Sequence, residues 1–171
     1  MEPVSEPEMT LADPSALLAG YLDYCRDGVL RKFEGLSDRE ARHSRLPSGW
    51  TPLGLLKHLA YMERRWFRWG FAAEQVDQPW GDQPQNEGEW YVEPGETVAE
   101  VKAFFREQCA HSRAIAAKGS LDDRAAAGGR FATAEDAPTL AWILFHVLQE
   151  YARHLGHLDI ARELADGITG E

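Results

Sequence analysis

Lysine, methionine and cysteine are scarce in this chain of 171 residues, at four, three and two copies. Two cysteines as far apart as Cys25 and Cys109 make no disulfide framework, so they read as small core side chains in a reducing cytoplasm. No apolar run approaches the roughly 20 residues that span a bilayer, which removes a membrane-spanning reading. Residues 1–13 are acidic and Pro-containing, with neither a basic start nor an apolar stretch, and read as a flexible tail rather than a secretion signal. Strand-like alternation, internal repeats and low-complexity blocks are missing too. Positive charge is in deficit, 18 Lys and Arg against 28 Asp and Glu, a net −10 that repels phosphate backbones and disfavours nucleic acid.

What is present is bulk and helical spacing. Six Trp, seven Phe and five Tyr supply a sizeable core, and the length fits one domain over residues 14–171. Asp13-Pro14 reads as a helix start, followed by Leu17, Leu18, Tyr21, Leu22, Cys25, Val29 and Leu30 at helical spacing up to about Phe33. Ser37 to Glu40 is a capping box for a short turn. Thr51-Pro52 repeats the cap-and-proline pattern, with Trp50 as a staple, and predicts a continuous helix from Pro52 to about Ala73. A helix from Thr97 to about Lys118 follows, and Pro138 is expected to start the last one, which stops at Asp166-Gly167. Four long helices with polar connections predict an all-α, antiparallel four-helix bundle. Residues 74–96 are irregular yet carry Trp80, Trp90 and Tyr91, as expected of a loop folded over something.

The last helix carries the chemistry. At about 100° per residue, His146, Glu150, His154 and His157 fall at about −40°, 0°, +40° and −20° around one stripe. Leu140, Leu144, Tyr151, Leu155 and Leu158 occupy the adjoining sector, so the polar stripe borders the core. A carboxylate and an imidazole one turn apart can converge on a single ion, and a third donor must then come from another helix. His58, amid Leu55, Leu59 and Met62, is the candidate. The plain alternatives are a hydrogen-bonded core histidine and an ordinary i, i+4 pair.

The segment Trp50-Thr51-Pro52-Leu53-Gly54-Leu55-Leu56-Lys57-His58-Leu59, with Trp66 beyond it, resembles the second helix of DinB-like metalloenzymes. Glu150-Tyr151-Ala152-Arg153-His154-Leu155-Gly156-His157-Leu158-Asp159 resembles their last helix. The resemblance implies a bundle with a divalent ion held by His58, Glu150 and His154. Glutamate at position 150, where the common pattern has histidine, is similar to the mycothiol-dependent maleylpyruvate isomerase branch. His157 stands where many members have glutamine, and so is an additional ligand, a supporting group or a proton carrier.

Two imidazoles and a carboxylate suit zinc best, with nickel, manganese or iron chemically tolerable. Such an ion can activate a low-molecular-weight thiol such as mycothiol for S-transfer or isomerisation, or activate water for hydrolysis. His157 and His146 are the candidate catalytic bases. Arg65, two turns after His58, is the candidate holder of an anionic or electrophilic small substrate, flanked by Tyr61 and Trp69. For Arg65 the plain alternative is a solvated arginine covering the bundle surface. A non-catalytic metal-binding or ligand-binding stress protein is the third reading. Aromatics on a bundle surface also leave a homodimer as an expectation.

Overall fold

In the computed structural model, residues 5–80 and 87–169 are described. The elements are α1 (Pro14–Arg31), the short α2 (Asp38–Ala41), α3 (Pro52–Glu63), a π-helical segment (Arg64–Phe71), a 3-10 turn (Gly88–Trp90), α4 (Val98–Ala116) and α5 (Leu140–Asp166). Among the described residues there is no β-strand, only two isolated bridges. The all-α bundle is therefore as predicted. No helix is long and apolar enough to cross a membrane, among the described residues.

The helix starts follow from side-chain caps that satisfy otherwise orphaned N–H groups. Asp13 accepts from the Ala16 N–H, Thr51 from Gly54 and Thr97 from Glu100, the last within a full capping box. α5 begins two residues later than the proline suggested. Thr139 is the cap, accepting from the Trp142 N–H, while the Pro138 carbonyl accepts from the Ala125 N–H and so belongs to the preceding connection. Gly167, at φ 76°, ends α5 in the left-handed conformation.

The predicted helix over 52–73 is not a single α-helix. After Glu63 the backbone widens to i→i+5 bonding, as in the Ala72 N–H to Phe67 carbonyl bond at 2.9 Å. The connection from α4 to α5 fixes the end of this segment: the Arg130 N–H donates to the Trp69 carbonyl and the Ala126 N–H to the Phe71 carbonyl. Gly129 sits where a Cβ would collide with the Trp69 carbonyl, so the close approach needs glycine.

α1 packs on α5, and α3 on α4. The core holds Leu22, Leu53, Leu55, Leu56, Leu59, Met62, Phe67, Phe105, Leu140, Ile143, Tyr151 and Leu158, all essentially inaccessible. At its centre lies a carboxylate, Glu63, which is 0% exposed. Arg26 of α1 grips it with Nε at 2.8 Å and Nη2 at 3.0 Å, and the Tyr151 hydroxyl of α5 donates to it at 2.5 Å. Cys109 of α4 points its thiol at the same carboxylate, 3.9 Å away. Burial drives the Cys109 thiol far above its ordinary range, with the Glu63 charge adding to the effect.

Removing one partner of such a group strands a buried charge. Arg26→Met should lower unfolding free energy by about 3–5 kcal/mol in a urea titration. Asp23→Ala, which removes only the half-exposed partner of Arg26, should cost at most about 1 kcal/mol. Equal effects of the two substitutions would contradict a central role for the Glu63 cluster.

Candidate metal centre

His58 lies one turn along α3 from Gly54, and Glu150 and His154 lie one turn apart on α5. The bundle brings these three together. One ligand atom from each residue falls within 4.8 Å of the others. Glu150 Oε2 is 3.2 Å from His154 Nε2, and the His58 and His154 rings meet edge-on, 4.9 Å between centroids. The Glu150 carboxyl is held at about 2, because His154 hydrogen-bonds its ionised form and the charges of His154, His146 and His58 add to that. Partial burial opposes the shift without cancelling it.

Two imidazole nitrogens and an ionised carboxylate form a donor set for a borderline divalent ion, with further positions left to water or substrate. The residues present therefore fit such an ion on the chemistry of their donors. His146 and His157 both border the triad. His146 Nε2 is 3.9 Å from Glu150 Oε1, and the His157 and His154 Nδ1 atoms are 3.3 Å apart. Burial, and then the neighbouring His154 and Arg153, hold the His157 imidazole below its ordinary range.

Aromatic side chains supply the walls. Trp90 stacks on His58, with centroids 4.2 Å apart and planes 13° from parallel. Lys57, adjacent to His58, secures that placement by donating to the Tyr91 carbonyl at 2.7 Å and to Glu96 at 2.8 Å. Gly54 permits it, since a Cβ there would lie 2.7 Å from the Trp90 carbonyl oxygen. On the other side, His146 stacks on Trp142 at 5.0 Å and packs against Trp66 at 4.4 Å. Trp66 and Trp142 lead into a pocket of about 490 Å³ whose other polar walls include Arg124, Arg130 and Asp136. The Arg130 guanidinium lies 4.5 Å over the Trp66 ring.

The three residues expected on the substrate side are placed differently from one another. Tyr61 is buried, donates to the Gln78 side chain at 3.1 Å and packs between Trp80 and Phe104. Arg65 is buried as well, 5.9 Å over the Trp66 ring, and is not the solvated arginine of the plain alternative. Trp69 is half-buried, with Arg130 5.8 Å over its ring. Sequence reasoning missed the pairing of Trp90 with His58 and of Trp66 and Trp142 with His146. For Trp90 the available signal was the density of aromatics in a segment without periodicity, and for Trp142 it was the i, i+4 spacing to His146 on one helix.

An all-α bundle with a two-histidine, one-carboxylate triad in its core defines the class: a DinB-like bundle with a candidate metal centre. A family model described as mycothiol-S-transferase matches residues 17–167, and the chain belongs to that family. No curated protein matches the chain.

The triad predicts stoichiometric binding of a divalent ion, measured by elemental analysis after purification without added metal. His58→Ala, Glu150→Ala and His154→Ala should each weaken binding by at least about 100-fold, and undiminished metal in all three would remove the assignment. Affinity should fall with acid because imidazoles must be neutral to ligate, whereas Glu150 adds nothing to that fall above roughly pH 4.

Proposed function

We propose that the chain transfers a low-molecular-weight thiol, mycothiol, to a small electrophilic substrate. The observation that carries this reading is the convergence of His58, Glu150 and His154 in a chain of the mycothiol-S-transferase family. A divalent ion bound there, zinc being the best match to the donors, would supply Lewis acidity that lowers the pKa of an incoming thiol.

The residues around the triad have separate tasks in this reading. His157 takes the thiol proton, for which a neutral imidazole at physiological pH is the right form. His146, against Glu150 Oε1, keeps that carboxylate turned toward His154. Trp90 covers His58 and keeps water from that side. The electrophile occupies the aromatic pocket beyond His146, with Trp66 and Trp142 as its walls. Arg65 and Trp69 support that side of the site, as positioning residues behind the walls, whereas Tyr61 packs on Gln78, Trp80 and Phe104. The sulfur then forms a bond to the electrophilic carbon, and the carbon's bond to its leaving group breaks with the electron pair. An isomerisation would use the same thiol addition followed by its reversal.

Monochlorobimane tests this directly, since sulfur attack releases chloride and leaves a fluorescent conjugate. Conjugation above the uncatalysed rate should require mycothiol, saturate with it, and fall by about 100-fold or more in His58→Ala and His154→Ala. His157→Ala should lower kcat by about 10²-fold or more, with metal content retained. Turnover indifferent to the thiol would sink the transferase reading, and bimane hydrolysis in its place would favour activation of water.

A further inference from the structure

A second site lies away from the triad, in the seam between α1 and α4. Where facing helices of a bundle ordinarily interlock large side chains, this seam presents Ala16 and Ala19 from α1 and Ser112 and Ala116 from α4. The small residues leave a cleft of about 350 Å³, closed at its base by Leu22, Phe67 and Leu144. Leu144 precedes Glu150 by six residues, which turns it about 120° away from the metal centre around α5.

Ser112 gives the cleft its chemistry. It is 0% exposed, lines the cleft, and its Oγ has no hydrogen-bond partner. A buried hydroxyl without a partner is costly, and alanine would fill the same position without that cost. Arg26 also reaches the floor, but its Nε and Nη2 are on Glu63 and its Nη1 is on Asp23. The guanidinium is thus engaged by two carboxylates, which disfavours an anionic guest. At the rim, the partly exposed Arg113 and Asp23 form an ion pair at 2.7 Å that ties α4 to α1.

We propose that this cleft binds a small, neutral, largely apolar molecule with one hydroxyl oxygen, an alcohol or phenol, whose oxygen partners Ser112. The site is independent of the thiol-transfer reading and does not share its residues. The volume is at the lower end of ordinary small-molecule sites, and its lining is apolar apart from the buried Ser112 hydroxyl, the exposed Ser15 at the mouth and the paired charges.

Two probes of matching shape test it on the full-length protein: p-cresol, and p-xylene, in which a methyl replaces the hydroxyl. Amide chemical shifts should move saturably at Ala19, Ser112 and Ala116 on adding p-cresol, with a Kd on the order of 1 mM for so small a ligand. Ser112→Ala should weaken p-cresol about fivefold and leave p-xylene unchanged. Ala116→Phe should fill the cleft and abolish both responses, and Ala19→Leu does so from the exposed side of α1 if the first variant fails to fold. The proposal falls if p-cresol shifts amides elsewhere, or if Ser112→Ala binds it undiminished. Shifts at these amides that depend on protein concentration alone would also overturn it, by showing that a second copy covers the cleft.

Discussion

The buried carboxylate of Glu63 is the constraint on which the rest of the molecule depends. It draws Arg26 from α1, Cys109 from α4 and Tyr151 from α5 onto α3, one group from each long helix. A buried ion pair contributes little net stability compared with a well-packed apolar core, but it tolerates few alternative registers. That matters because α3 carries both Glu63 and His58, and α5 carries both Tyr151 and its neighbour Glu150. Pinning Tyr151 to Glu63 sets the rotation of α5 against α3. The same rotation brings Glu150 and His154 to His58. A slip by one residue would turn the carboxylate by about 100° and separate the triad.

The irregular parts of the chain depend on this frame and complete the site. α3 gives way to the π-helical segment just past Glu63, and the wider backbone carries Trp66 to His146. The connection before α5 then docks on the end of that segment through Ala126 and Arg130, with Gly129 allowing the approach. On the opposite side, Lys57 fastens the 91–96 strip and so sets Trp90 on His58. The walls of the candidate centre thus come from the 3-10 turn, the π-helical segment and α5 itself, and Lys57 of α3 fastens the first of them.

Much of this was legible in the sequence, and the exceptions have physical causes. The caps Asp13, Thr51 and Thr97 are local signals, so the helix starts could be read from neighbouring residues. Glu150 and His154 were legible because i, i+4 spacing fixes their proximity on one helix. His58 was legible as a donor on another helix near an apolar face, and the resemblance then paired it with Glu150 and His154, since no local rule pairs residues 92 and 96 positions apart. Glu63 was not singled out at all: its partners lie 37, 46 and 88 positions away, and an acid in an amphipathic helix ordinarily faces water. The π-helical segment escaped for a related reason. Its i→i+5 bonding reflects tertiary contacts at Trp69 and Phe71 rather than a pattern within Arg64 to Phe71.

The cysteines bear on the origin of the sulfur in the proposed transfer. A catalytic thiol needs a depressed pKa and some exposure, supplied by cations or a helix N-terminus. Cys25 and Cys109 have the reverse. Both are buried, and burial raises both thiols, for Cys109 with the Glu63 carboxylate as an additional opposing charge. Cys109 is committed to the Glu63 cluster, and Cys25 lies in the core beside Arg26, whose charge only partly offsets its burial. Neither side chain is therefore suited to serve as a nucleophile. A sulfur that reacts at the triad must arrive with a diffusible molecule, which is why the pairing of this site with an external thiol is chemically coherent. In the proposed transfer the chain's own part would be to hold an acidic ion, accept a proton and exclude water, with His58, Glu150 and His154 brought together by the packing around Glu63.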